Sequence, residues 1–240
     1  MTWCRWSPDF LEPRNILKNP NLYIIGLTGG IACGKSTVLA MLSSLGARTI
    51  DADRVTHRVQ QPGTAVYHQI VAAFGVHILT RPGGPIDRRK LGSLVFSNPD
   101  ALQRLETIVH PAVRTEIKTW IASIAQERGH GTREQPLDYP IAVIDAIKLL
   151  ESNWQPYCDA IWVVTCTTDQ QIERLIQTRG MSAEEAQQRV AAQPPQAERI
   201  AHADVVIDNS GTIEETQAQI SAAWQQILRE IDASREHKAD

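Results

Sequence analysis

Short unbroken apolar runs alternate along this chain with stretches in which apolar residues return every three or four positions. The first run, "LYIIGLT" (Leu22 to Thr28), ends in glycines and predicts a buried parallel strand. Val38, Met41, Leu42 and Leu45 then fall on one face of a helix, which Gly46 ends. "ARTI" predicts a second strand, ending at Asp51-Ala52-Asp53. Residues 54–128 read as helix in four pieces, "GTAVYHQIVAAFG", "IDRRKLGSLVF", "PDALQRLETIV" and "PAVRTEIKTWIASIAQERG", broken by glycine, proline and asparagine. So much helix between two strands exceeds a simple crossover and predicts an inserted helical subdomain. After the polar loop "GHGTREQPLDY", three further strands are expected at "PIAVIDA", "AIWVVTC" and "DVVIDN". Capping boxes at Thr168–Gln171, Ser182–Glu185 and Thr212–Glu215 open helices, the last with Ile213, Ile220, Trp224, Ile227 and Ile231 on one face. The expectation is an α/β fold: a doubly wound, parallel, five-stranded sheet in one domain over 22–240. Residues 1–21 show neither period and carry three prolines; they read as a loosely ordered extension whose Trp3 and Trp6 are available to pack on the body.

Composition narrows the class. Of 240 residues, 42% are hydrophobic and 21% charged, ordinary for a globular protein, and a net charge of −3 offers no basic excess for nucleic acid. Cys4, Cys33, Cys158 and Cys166 form no CxxC pair and no metal-ligand spacing, so a reducing cytoplasm is expected. No secretion signal or membrane-spanning run is read, and oligomeric state is not legible.

One stretch carries chemistry. In "GLTGGIACGKST" (Gly26 to Thr37), Gly29-x-x-x-x-Gly34-Lys35-Ser36 fits GxxxxGK[ST], between a predicted strand and a predicted helix. Loose backbone from Gly30 through Ala32, Cys33 and Gly34 lets N–H groups converge on phosphate oxygens, and the helix opening at Lys35 aims its positive end at the same anion. Lys35 is expected to bridge the β- and γ-phosphates, Ser36 to ligate Mg²⁺ and Thr37 to meet the α-phosphate. In an open parallel sheet ligands sit at the carboxyl ends of the strands, which puts Asp51 and Asp53 on the same rim. Either carboxylate suits proton acceptance from a hydroxyl or water-mediated Mg²⁺ binding; each also suits a helix N-cap. Asn209 and Gly211 are candidates for the adenine edge or for a turn. His110, before Pro111 at an expected helix start, suits a cap, packing or substrate contact. Arg88 and Arg89 suit an acceptor diphosphate or a solvated face. A nucleotide kinase, a sugar kinase or a nucleotide switch remain alternatives, although no Asn-Lys-x-Asp guanine-reading segment is present.

The series "GLTGGIACGKST", "IDADRVTH", "IDRRKLGSLVF", "LETIVHPAV", "QIERLIQTRG", "EEAQQRVAAQ" and "ADVVIDNSG" resembles the dephospho-CoA kinase family from about Leu22 to about Trp224. The resemblance implies transfer of the ATP γ-phosphoryl group to the ribose 3′-hydroxyl of dephospho-CoA. It implies Asp53, the second aspartate of "DAD", as general base, a substrate subdomain over 54–128 that includes His110, and a mobile lid over 168–194 carrying Arg174 and Arg179. The chain departs from the family's usual "TGGIGSGKS" at Ala32 and Cys33, where little effect is expected because both contribute mainly backbone. It departs again from "D-x-PLLFE" at Ile147 and Lys148, on the expected acceptor side. The extension has no counterpart in the family pattern.

Overall fold

A computed structural model describes residues 22–126, 130–131, 136–137, 139–152 and 154–236; the extension expected over 1–21 lies outside the described residues. The strands are β1 (Tyr23–Gly29), β2 (Arg48–Asp51), β3 (His130–Gly131), β4 (Pro136–Leu137), β5 (Ile141–Asp145), β6 (Ala160–Thr165) and β7 (Val205–Asp208). Five of them form one all-parallel sheet in the order β2-β5-β1-β6-β7. Every residue of β5 and β6 is buried, as expected of strands covered on both faces. The register sets Leu27 beside Asp145 and Asp51 beside Asp145. The carboxyl ends of β1, β2 and β5 therefore make one rim. The short antiparallel pair β3–β4 falls within the segment read as a polar loop.

The helices are α1 (Lys35–Ser44), α2 (Ala52–Val59), α3 (Ala65–Phe74), α4 (Arg88–Phe96), α5 (Pro99–Gln126), α6 (Thr168–Arg179), α7 (Ala183–Ala191), α8 (Gln196–Ile200) and α9 (Ile213–Glu236). On one face of the sheet, Val38 and Leu42 of α1 and Ile220, Trp224, Ile227 and Ile231 of α9 pack on Ile25, Leu27, Val143 and Trp162. On the other face, α2 to α5 bring Val55, Ile70, Leu91 and Ile117 into one core with Ile24, Ile144 and Val163. Each such buried side chain contributes about 1.5–3 kcal/mol relative to exposure. The Arg58 guanidinium ties α2 to Glu116 of α5 (2.6 Å). Among the described residues no helix is long and apolar enough to cross a membrane.

Two local expectations change. The pieces read on either side of Pro111 are one helix, α5, with Pro111 inside it, so His110 is mid-helix and not at a start. Proline removes one backbone donor, but Val109, Val113, Ile117 and Ile124 continue a single buried stripe across it, and packing outweighs the lost bond. The first box of α6 is Thr167–Gln170, one residue earlier than expected. Both registers satisfy Thr-x-x-Gln; Gln171 is buried elsewhere, against Ile31 and Cys33, which leaves Gln170 to close the box. The boxes at Ser182–Glu185 and Thr212–Glu215 form as read.

Candidate active site

The site begins with backbone. Gly34 stands at the N-cap of α1 in the left-handed region (φ 87°), and Ala32 is the one non-glycine described residue with positive φ (56°). The carbonyls of Ile31, Ala32 and Cys33 each accept a hydrogen bond from a different side chain: Gln171 Nε2 (2.8 Å), Arg174 Nη1 (3.2 Å) and Asn209 Nδ2 (2.8 Å). Gln193 Oε1 accepts from the Ile31 N–H (3.0 Å). A peptide whose carbonyl is held on one side presents its N–H on the other. The Ile31 and Cys33 carbonyls bound outward thus aim the Ala32 and Gly34 amides inward, at the position of an anion, whereas the Cys33 N–H donates to Gly30 O (3.2 Å) within the loop. Gly30 has no room for a side chain, since a Cβ would lie 2.7 Å from Gln171 Nε2.

The side chains expected to touch ATP divide into two groups. Ser36 is exposed on the first turn of α1, with Thr37 half-buried beside it. Lys35 bonds Asp145 at the end of β5. Burial holds the Asp145 carboxyl above the ordinary range, opposed by Lys35 and reinforced by Asp51 and Asp53. Cys33 contributes backbone only: its thiol is fully buried against Gln171 Nε2 (3.2 Å). A hydrogen bond with Cys166 holds Cys33 below the usual thiol range and pushes Cys166 up. Asn209, a candidate for the adenine edge, has its amide committed at both ends, to Cys33 O and to the Thr216 hydroxyl (2.9 Å). Arg174 is half-buried and spans Ala32 O and Asn209 O (2.9 Å), whereas Arg179 is exposed at the end of α6.

Asp51 and Asp53 take different roles. Asp51 N-caps α2, accepting from the Arg54 N–H at 2.8 Å. Asp53, in the first turn of α2, opens into a cavity of about 240 Å³ that it shares with Glu106, His110, Arg114 and Lys148. Burial lowers the His110 pKa, Arg114 and Lys148 lower it further, and Glu106 opposes them. Arg88 does not line this cavity; it bonds His57 Nε2 (2.7 Å), one turn along α2 from Asp53. At the second departure from the family pattern, Ile147 acts through its carbonyl, which accepts from Thr28 Oγ1 (3.1 Å), while the Lys148 side chain reaches the cavity.

Asp145, Gln171 and Arg114 were not singled out as site residues from sequence, whereas Lys148 was noted on the expected acceptor side. Asp145 was detectable as an acid closing an apolar strand. Gln171 and Arg114 show no site pattern, because only the packing of α6 and α5 brings them to the rim.

Among the described residues no trio of histidine, cysteine, aspartate or glutamate is arranged to hold a metal. A hydroxyl such as Ser36 with one rim carboxylate fits an ion that takes most of its ligands from phosphate and water, as Mg²⁺ does.

The dephospho-CoA kinase family model matches residues 23–215. A dephospho-CoA kinase of Symbiobacterium thermophilum is 47% identical over 201 residues, 84% of this chain and 80% of that one. A dephospho-CoA kinase of Geobacter sulfurreducens is 43% identical over 201 residues, 84% of this chain and 96% of the other. Among solved structures, TT1252 from Thermus thermophilus superposes with a TM-score of 0.68 at 28% identity, covering 88% of this chain and 98% of its own. With its phosphate loop, rim carboxylates and matched sequence, the chain belongs to the dephospho-CoA kinase family.

Proposed function

We propose that this enzyme phosphorylates the ribose 3′-hydroxyl of dephospho-CoA with ATP, giving CoA and ADP, and that the rim described above performs the step. The observation that carries the mechanism is that the phosphate nest and Asp53 lie on the same edge of the sheet, with the Asp53 cavity beside the β5 end. The Ala32 and Gly34 amides and the first turn of α1 hold the ATP phosphates. Lys35 leaves Asp145 for the phosphate oxygens when these arrive. Asp53 accepts the proton of the attacking hydroxyl, which bonds to the γ-phosphorus as ADP departs. Ser36 and Asp145 are the residues that would hold Mg²⁺, which would supply positive charge to the phosphate oxygens. The α2–α5 helices act as the substrate subdomain, with His110, Arg114 and Lys148 facing the acceptor. Arg88 serves at its edge. The α6–α7 hairpin acts as lid, excluding water that would otherwise hydrolyse ATP; Arg174 and Arg179 are its cations. The enzyme works in the cytoplasm, where Cys33, Cys158 and Cys166 stay free as they are here.

One assay tests the reading: ATP, Mg²⁺ and a panel of nucleotide, sugar and pantetheine-bearing acceptors, with products identified by mass. CoA as the dominant product is expected; preferential phosphorylation of a nucleotide or sugar overturns the assignment.

A further inference from the structure

Arg199, on α8, is buried to 7% exposure. Its one hydrogen bond among the described residues is Nη1–H to Pro194 O, at a long 3.4 Å. No carboxylate among the described residues pairs with it. Asp204, the next acid along the chain, is engaged by the Ile161 N–H (2.7 Å). Among the described residues the one fully buried side-chain nitrogen or oxygen without a partner is Trp162 Nε1, so the Arg199 donors that have no protein partner keep access to solvent. Arg199 lines a cavity of about 480 Å³ with Gly30, Gln171, Val190, Gln193 and Gln196. A largely buried guanidinium without a counter-charge is poorly compensated, and its planar donors match phosphoryl oxygens. The cavity adjoins the P-loop at Gly30 but lies outside the nest formed by the loop amides. It is also twice the volume of the Asp53 cavity, which is too small for a complete acceptor.

We propose that Arg199 and this cavity form a second oxyanion site, taking phosphoryl oxygens of a bound substrate beside the P-loop nest. The inference rests on the dephospho-CoA kinase reading. Two substrates carry this chemistry: ATP through its terminal phosphoryl group, and dephospho-CoA through its diphosphate.

The test compares Arg199→Met and Arg199→Lys with wild type in steady-state kinetics, varying ATP and dephospho-CoA separately, and in thermal melts with and without inorganic pyrophosphate. Without ligand, Arg199→Met should melt at or above the wild-type temperature, because the partner lost is a single long hydrogen bond to Pro194 O. The KM of one substrate should rise at least about tenfold, the loss of a charge-assisted hydrogen bond to phosphate, with Arg199→Lys intermediate. A rise for ATP assigns the site to its terminal phosphoryl group; a rise for dephospho-CoA assigns it to the acceptor diphosphate. Pyrophosphate should raise the wild-type melting temperature more than that of Arg199→Met. Both KM values within twofold of wild type, or a lower unliganded melting temperature in both variants, overturns the proposal. Wild-type turnover in the same assay keeps this result separate from the family reaction: absence of CoA from wild type would sink that reading instead.

Discussion

At the scale of single residues, neighbouring groups of the same type do different work because their backbones differ. Asp51 closes the amino end of α2, and Asp53, two residues on, lines the cavity shared with His110 and Arg114. Asp53→Asn should keep ATP binding and lower kcat roughly 100- to 10,000-fold, the usual range for a lost general base. Asp51→Asn should cost stability of about 1 kcal/mol or less, since asparagine also caps, with a smaller loss of kcat. The opposite ranking in steady-state kinetics would move the base to Asp51. Ala32 carries a left-handed backbone that the family pattern assigns to glycine, so the expectation that this departure is inert needs revising. An L-residue there costs roughly 1–2 kcal/mol, offset in part by about 0.4–1 kcal/mol of glycine's greater unfolded-state entropy. Ala32→Gly should therefore raise the free energy of urea unfolding by up to about 1 kcal/mol; a lower value means that Ala32 packs too well to lose its methyl group.

At the scale of elements, the α6–α7 hairpin and the phosphate loop are not independent. Gln171 and Arg174 of α6 and Gln193 after α7 hold three backbone groups of the loop, and Asn209 after β7 holds a fourth. Movement of the α6–α7 hairpin must therefore carry or release these bonds. Arg174→Ala removes two charged hydrogen bonds to carbonyls. It should raise the KM for ATP about tenfold through loss of loop preorganisation, with a smaller fall in kcat. A fall in kcat alone would make Arg174 a transition-state contact instead. The box that opens α6 was legible as a pattern but not in register, because two threonines precede two glutamines. Tertiary contact to Gln171 broke the tie. Pro111 similarly pointed to two helices, and the stripe from Val109 to Ile124 made them one.

At the scale of the molecule, ligand and pH should act on global stability. ATP with Mg²⁺ at 100 times its dissociation constant should add about 2.7 kcal/mol to unfolding. Lys35→Ala should lose most of that increment, and its unliganded melting temperature should fall as well, because the buried Asp145 carboxylate loses its partner. An undiminished shift would remove Lys35 from the phosphates. His110 gives the pH arm. Its folded pKa lies below its ordinary value, chiefly through burial, so the unfolded chain takes up the proton first. Its contribution is present above about pH 6.5 and is lost as the pH falls from there toward the folded value. His110→Asn should flatten the stability curve between about pH 5 and 7; an unchanged slope would place the titration elsewhere.

The sequence alone determined the five strands of the main sheet, the helical insertion between β2 and β5, the phosphate loop and the two aspartates on one rim. Period, glycine spacing and chain order carry that information locally. Only the tertiary structure decided that Asn209 and Gln171 clamp the loop, that Arg88 turns to His57, that Arg114 lines the Asp53 cavity, and that Arg199 lines the cavity beside Gly30. These residues come from separate elements with no shared motif, and their roles depend on which faces meet when α5 to α8 pack on the sheet.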